Sequence, residues 1–182
     1  DDEWDTCYYE NEDGTDPREK FRIRIYDGSD GRIMLELKQK RRGMTRKLSC
    51  PLTQSQCIAA LRGELLEGRQ DAAPVLQKFI LEQKNRKLVA KSIVEYDRVP
   101  YIFKLGNVRV TLDENIRSSH QTERFLAGDF IRRPVMAPGE HVLEVKYDDF
   151  LPDFIRQVLQ LDTLRRTSFS KYYMCRYYSA IG

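Results

Sequence analysis

Arginine and lysine recur at alternate positions of strand-like segments, a spacing that lines up several cationic groups on one side of a sheet. Arg22 and Arg24 are such a pair, as are Lys38 and Lys40, with Lys47 next to Arg46; Arg98, Arg109 and Lys146 sit in later segments of the same character. A planar guanidinium matches two phosphate oxygens at once and an ammonium adds a compact charge, so these residue types together suit a phosphate-rich anion. The acids interleaved with them are few: Glu36, Asp113 and Glu144. Other chemistries have little material. There are only two histidines, His120 and His141, too few for a multi-histidine metal centre. The four cysteines (Cys7, Cys50, Cys57, Cys175) form no CxxC pair and are expected to be free thiols in a reducing compartment.

The elements that must carry these residues alternate strongly. Phe21, Ile23 and Ile25 fall on one face of a strand, with Arg22, Arg24 and Tyr26 on the other. Ile33, Leu35 and Leu37 oppose Glu36, Lys38 and Lys40, and a hairpin turn is expected at Asp27-Gly28-Ser29-Asp30-Gly31. Arg46–Cys50 makes a third strand. Lys91–Arg98 sets Tyr96 and Arg98 against Ile93 and Glu95. Val108, Val110 and Leu112 alternate with Arg109, Thr111 and Asp113, after a Gly106-Asn107 turn. Leu143, Val145 and Tyr147 alternate with Glu144 and Lys146, leaving His141 facing outward at the strand end.

Helices are expected between and after these strands. Thr53-x-x-Gln56 is a capping box opening a helix to about Leu66. Ala73–Lys87 and Asp153–Leu161 carry apolar stripes at helical spacing. Thr167 caps a last helix, Ser168–Ser179, whose Tyr172, Tyr173 and Tyr177 are expected to cover the core. Asp1–Asp16, acidic and rich in turn residues, reads as a loop, and Trp4 within it as packing on strands upstream of Asp1.

The pattern describes an α+β protein with a mostly antiparallel sheet of six or more strands. With 182 residues the chain suits a single domain, 1–182. An apolar/charged alternation ordinarily means a half-buried strand with a wet outer face. The abundance of arginine on the polar faces favours a second arrangement. There the sheet curls so that the cationic face lines a tunnel and helices cover the apolar outside. The net charge of +3 is too small to choose between them. No apolar run approaches the ~20 residues of a membrane span. Lys38–Arg42 with Arg46 and Lys47 is basic enough for nucleic acid. The aromatics, however, lie mainly at helical core positions such as Phe169 and Tyr173, so nucleic acid is not the expected partner.

Taken in order, the segments Asp16-Pro17-Arg18-Glu19-Lys20-Phe21-Arg22-Ile23-Arg24-Ile25-Tyr26, Leu35-Glu36-Leu37-Lys38, Glu95-Tyr96-Asp97-Arg98, Gly106-Asn107-Val108-Arg109-Val110-Thr111-Leu112-Asp113, Leu143-Glu144-Val145-Lys146-Tyr147 and Ser168-Phe169-Ser170-Lys171-Tyr172 resemble the VTC domain. This is the polyphosphate polymerase branch of the triphosphate tunnel metalloenzymes, and the match runs from about Tyr8 to the end. The resemblance implies an antiparallel β-barrel, a tunnel with helices packed outside it. Further strands would precede Asp1, so that this chain alone leaves the barrel open. It implies phosphate ligands at Arg22, Arg24, Lys38, Lys47, Arg98, Arg109 and Lys146, helped by Tyr96, Ser170 and Lys171. Glu144 would hold Mn²⁺ or Mg²⁺, with Glu36 as a possible second ligand. The residue before the Phe-Ser-Lys triplet, lysine in the best-known polymerase, is Ser168 here, with Arg165 and Arg166 close by.

The implied partners are ATP, polyphosphate and other phosphate anions. The implied setting is the cytoplasm, or the cytoplasmic face of a membrane where the full-length protein carries an anchor. A polymerase would move the terminal phosphate of ATP onto a growing chain, whose end is already an anionic nucleophile. A triphosphatase of the same superfamily needs water activated by a base or a metal. The shortage of spare carboxylates favours the polymerase. A non-catalytic polyphosphate-binding module is the third alternative.

Overall fold

The computed structural model describes residues 1–26, 28–68, 71–160 and 167–181. Asp27 of the expected hairpin turn, Leu161, Arg165 and Arg166 lie outside them. Among the described residues the architecture is α+β with two antiparallel sheets and five α-helices.

The first sheet has strand order β1-β2-β3, formed by β1 (Arg18–Tyr26), β2 (Ser29–Arg41) and β3 (Met44–Leu52). Its register pairs Phe21 with Leu37 and Ile23 with Leu35, so the apolar residues of both strands share one face. Two helices cover that face: α2 (Gln54–Leu61) and α3 (Pro74–Arg86). Leu35, Leu37, Cys57, Val75, Leu76 and Phe79 meet in the main core. The capping box is present: Thr53 Oγ1 accepts from the Gln56 amide at 3.1 Å and Gln56 answers the Thr53 amide at 3.0 Å. Helix α2 stops at Leu61, short of the expected Leu66. The chain from there to α3 is held by Gln83, which donates to the Glu64 carbonyl and accepts from the Leu66 amide.

The second sheet is built on the long strand β5 (Val108–Ser119). Strand β4 (Ile93–Phe103) lies along one edge, and β6 (Arg133–Pro134) and β7 (Val142–Lys146) share the other. Between β4 and β5, Glu95 pairs with Arg117 but Asp97 pairs with Glu114, a bulge placing Asn115 and Ile116 opposite Tyr96. Asn115 adopts a left-handed φ of 49° there. The extra residue shifts the alternation by one, so Ile116 and Ser118 join Asp113 and Thr111 on one face. That face is therefore polar at one end and apolar at the other. Helix α5 (Lys171–Ile181) covers the apolar end, where Ile116, Val135 and Cys175 form a second, smaller core. On the opposite face, α4 (Asp153–Val158) leaves a cavity of 340 Å³ lined by Tyr101, Phe103, Val108, Val110, Phe154 and Val158 among others. Its lining carries no charge, so it is not a place for a polyanion.

The barrel, expected to be left open in this chain, is not closed among the described residues, whose strands form two antiparallel sheets. Among the described residues no backbone ladder joins β1 or β3 to the second sheet, and after β3 the chain turns into helices instead of pairing onward. The helices are not all outside either. Tyr172 of α5 meets Lys20 of β1, and Lys171 meets Asp113 of β5, so the start of α5 lies against the polar faces of both sheets. The expected cap at Thr167 is corrected to Ser170. Its hydroxyl accepts from the Tyr173 amide at 3.3 Å and its carbonyl from the Met174 amide.

The acidic leader also departs from its expected loop. It forms α1 (Thr6–Glu12), because the Asp1 and Asp2 carboxylates accept from the amides of Thr6, Cys7 and Tyr8 at 2.9–3.1 Å. Helix α1 packs on α5, with the Tyr8 and Tyr173 rings stacked at 4.9 Å and Arg176 bonded to Asp5. Trp4 is 76% exposed. Gly106, in the turn from β4 to β5, has φ 73°, and a Cβ there would come within 2.7 Å of the Phe150 carbonyl oxygen. Gly106→Ala is expected to cost about 1–3 kcal/mol in urea denaturation; wild-type stability in the variant would show that the turn tolerates a side chain.

Candidate functional site

Among the described residues each sheet carries one buried carboxylate that gathers two cations from neighbouring elements. In the first sheet it is Glu36 on β2, 2% exposed, which accepts from Arg22 Nε on β1 and from Lys47 Nζ on β3 at 2.7 Å. The register explains the geometry: Arg22 lies directly opposite Glu36, and Lys47 pairs with Lys38, two residues further along the same face. In the second sheet Asp113 on β5 is 0% exposed. Arg98 donates to both of its oxygens, at 2.6 and 2.7 Å, and Lys171 Nζ reaches it from α5 at 2.6 Å. Burial alone would raise both carboxyl pKa values; the cations outweigh it and hold each below the usual carboxylate range.

The two clusters face one another. Arg24 Nη2 of the first sheet donates to the Tyr96 hydroxyl of the second at 3.0 Å. The Tyr96 ring receives Arg98 at 5.0 Å and Lys171 at 5.1 Å from its centroid. Lys38 is held below the usual lysine range, first by lost hydration and then by repulsion from Lys146 on the second sheet, with Glu144 acting in the opposite sense. Lys38 and Arg109 form no ion pair among the described residues, and Arg109 stands directly opposite Lys146 on β7. The result is a cleft between the sheets, lined by cations and braced by two carboxylates. Ser170 sits at its α5 end as the helix cap.

Sequence reasoning assigned no role to two participants. Asp113 was visible as an acid on the right face, but its bracing of Arg98 and Lys171 depends on where α5 packs. Lys20 shares the face of Arg22 and Arg24 and pairs directly with Lys38; the alternation from Phe21 would have found it, extended one residue toward the N-terminus.

Glu144 is the carboxylate with the most open surroundings of the three. It pairs with Lys146 at 2.9 Å and lies 3.7 Å from Arg98, and these cations together with Lys171 overcome its burial and lower its pKa. Directly opposite it on β5, the buried Thr111 hydroxyl has no hydrogen-bond partner among the described residues. A carboxylate and an orphaned hydroxyl side by side are hard oxygen donors, fitting Mg²⁺ or Mn²⁺, which take one or two carboxylates and complete their shell with phosphate and water. No group of three or more His, Cys, Asp or Glu residues that could hold a metal occurs among the described residues, so any ion here depends on oxygens from a ligand. Glu36 is differently placed: both of its oxygens are already engaged by Arg22 and Lys47.

The fold and the site together define an α+β protein whose two antiparallel sheets turn a cluster of arginines and lysines toward each other. The chain belongs to the VTC domain family, whose model matches residues 1–179. That membership carries a polyphosphate-related function in general, within a family associated with phosphotransferase activity. Comparison with curated proteins and comparison with solved structures each gave no match. No helix among the described residues is long and apolar enough to cross a membrane.

Proposed function

We propose that the chain is a polyphosphate polymerase-like phosphotransferase of the triphosphate-tunnel type, its cleft holding the triphosphate of ATP and the end of a polyphosphate chain. The observation that carries this reading is the approach of the two cationic faces, seen in the Arg24–Tyr96 bond and in the reach of α5 to both sheets, Tyr172 to Lys20 and Lys171 to Asp113. In the transfer, a terminal oxygen of the chain forms a bond to the γ-phosphorus as the bond from that phosphorus to the β,γ-bridging oxygen breaks. ADP leaves with the electron pair, and the chain is one phosphate longer. Phosphoryl transfer of this kind asks for positioning and neutralisation of charge more than for covalent help. Arg22, Arg24, Lys38, Lys47, Arg98, Arg109, Lys146 and Lys171 supply both, with Tyr96 and Ser170 fixing the junction of β4 and α5.

Glu144, with Thr111 beside it, would hold Mn²⁺ or Mg²⁺, which when bound neutralises phosphate oxygens. The acceptor needs no general base, and this agrees with the occupancy of the carboxylates: Glu36 and Asp113 are both buried and bonded to cations. Incubation of the protein with ATP and Mn²⁺ tests the reading, with long-chain polyphosphate as the expected product. Orthophosphate without polymer would establish a triphosphatase instead, and tight polyphosphate binding without turnover a binding module. Glu144→Gln is expected to lower turnover by about 100-fold or more while leaving polyphosphate binding in chelator within a few fold. Unchanged Mn²⁺ dependence in that variant would remove Glu144 from the metal site.

A further inference from the structure

The first sheet contains a row of like charges that its own acids answer only at one end. Lys20, Lys38 and Lys47 lie directly opposite one another across β1, β2 and β3, on the face turned toward the cleft. Like charges in direct cross-strand register destabilise a sheet unless something of opposite sign lies between them. Lys47 has Glu36. Lys20 and Lys38 have no carboxylate partner among the described residues. Lys20 is half-buried, its ammonium 4.2 Å from the Tyr172 ring centroid, and a ring face compensates a desolvated cation only in part.

We propose that Lys20, together with Lys38, forms an additional anion subsite of the cleft, taking one phosphate group of a polyphosphate chain at the end bordered by α1 and α5. This rests on the polyphosphate reading above and assigns Lys20 a part in it. The charge balance around Lys20 supports the assignment. Arg18 and Arg22 of its own strand and Lys38 of β2 repel it, and Cys7 of α1 acts in its favour; Tyr172 of α5 presents its ring face. Lost hydration, followed by these repulsions, pushes the Lys20 pKa down to about 8. An anion bound there would favour the charged ammonium. The contribution of Lys20 to affinity is therefore full below about pH 8 and fades as the pH rises, with a proton taken up on binding near that pH.

The test is calorimetric titration with long-chain polyphosphate, whose internal phosphoryl groups keep their charge across this range. Wild type, Lys20→Met and Lys20→Arg are compared between about pH 7 and about pH 9.5. At the lower pH, Lys20→Met is expected to bind about tenfold more weakly than wild type. As the pH rises, wild type should converge on the Met variant, while Lys20→Arg keeps its affinity and loses the step. A purely structural lysine would not produce that convergence. Parallel pH profiles for wild type and Lys20→Met overturn the subsite and leave the polyphosphate reading standing. Should Lys20→Met not fold, a pH step persisting in Lys20→Arg overturns the subsite by itself. Absence of polyphosphate binding by wild type overturns both.

Discussion

Replacing Asp113 by asparagine is expected to remove about 3 kcal/mol of folding stability at neutral pH, measured by urea denaturation. Asp113 is fully buried and is the shared acceptor of Arg98 and Lys171. Withdrawing one partner of such a cluster leaves the others under-compensated; because the Arg98 and Lys171 side chains keep 25% and 18% of their exposure, the loss falls at the low end of the range for buried pairs. The pH dependence has a definite sign. The folded-state pKa of Asp113 lies below its ordinary value of 3.8, so the contribution is present above that value and is lost as the pH falls through the depressed one. The gap between wild type and Asp113→Asn should be full above about pH 4 and should close in stronger acid. A variant that unfolds with wild type at neutral pH would show that Asp113 does not brace the second sheet's cations.

The double variant Lys38→Ala/Arg109→Ala should act with opposite signs on stability and on binding. Neither residue is paired with a carboxylate among the described residues, while Lys38 is crowded by Lys20, Lys47 and Lys146, and Arg109 faces Lys146. Removing them relieves repulsion in the free protein, so the thermal midpoint should hold or rise. Polyphosphate affinity should fall by about 100-fold or more, because each charge-assisted contact to phosphate contributes about 1.5–3 kcal/mol. The salt dependence of binding should flatten as fewer counterions are exchanged. Binding at wild-type strength would show that the cleft is not where the polyanion lies. A parallel titration with single-stranded DNA at matched salt separates polyphosphate recognition from general attraction to nucleic acid.

Much of the site could be seen in the sequence because strand alternation is local. Once Phe21, Ile23 and Ile25 face the core, Arg22 and Arg24 face the other way, and the same logic places Lys38, Arg109 and Lys146. The capping box at Thr53 and the Pro74 start of α3 are equally local, each needing only a few consecutive residues. The misses share a different character. Asp1 and Asp2 reach the amides of Thr6, Cys7 and Tyr8 from four to seven residues away, so a stretch that reads as turn residues is in fact a helix cap. The bulge at Asn115 breaks the alternation that a regular strand would continue, moving Ile116 onto the face of Asp113. The division of the strands into two sheets was likewise not legible, because pairing joins sheet edges and no periodicity within a strand specifies which edges meet.

By itself, the sequence determined which side chains point the same way: the steric pleat of each strand sorts cations from apolar residues within a few positions, whatever lies beyond. Only the tertiary structure decided which of those faces meet. The pairing of Glu36 with Arg22 and Lys47, of Asp113 with Arg98 and Lys171, and of Arg24 with Tyr96 joins residues distant in the chain. Such contacts form where packing of α1 and α5 against the two sheets brings charges into low-dielectric proximity, a condition set by the whole fold and by no single segment.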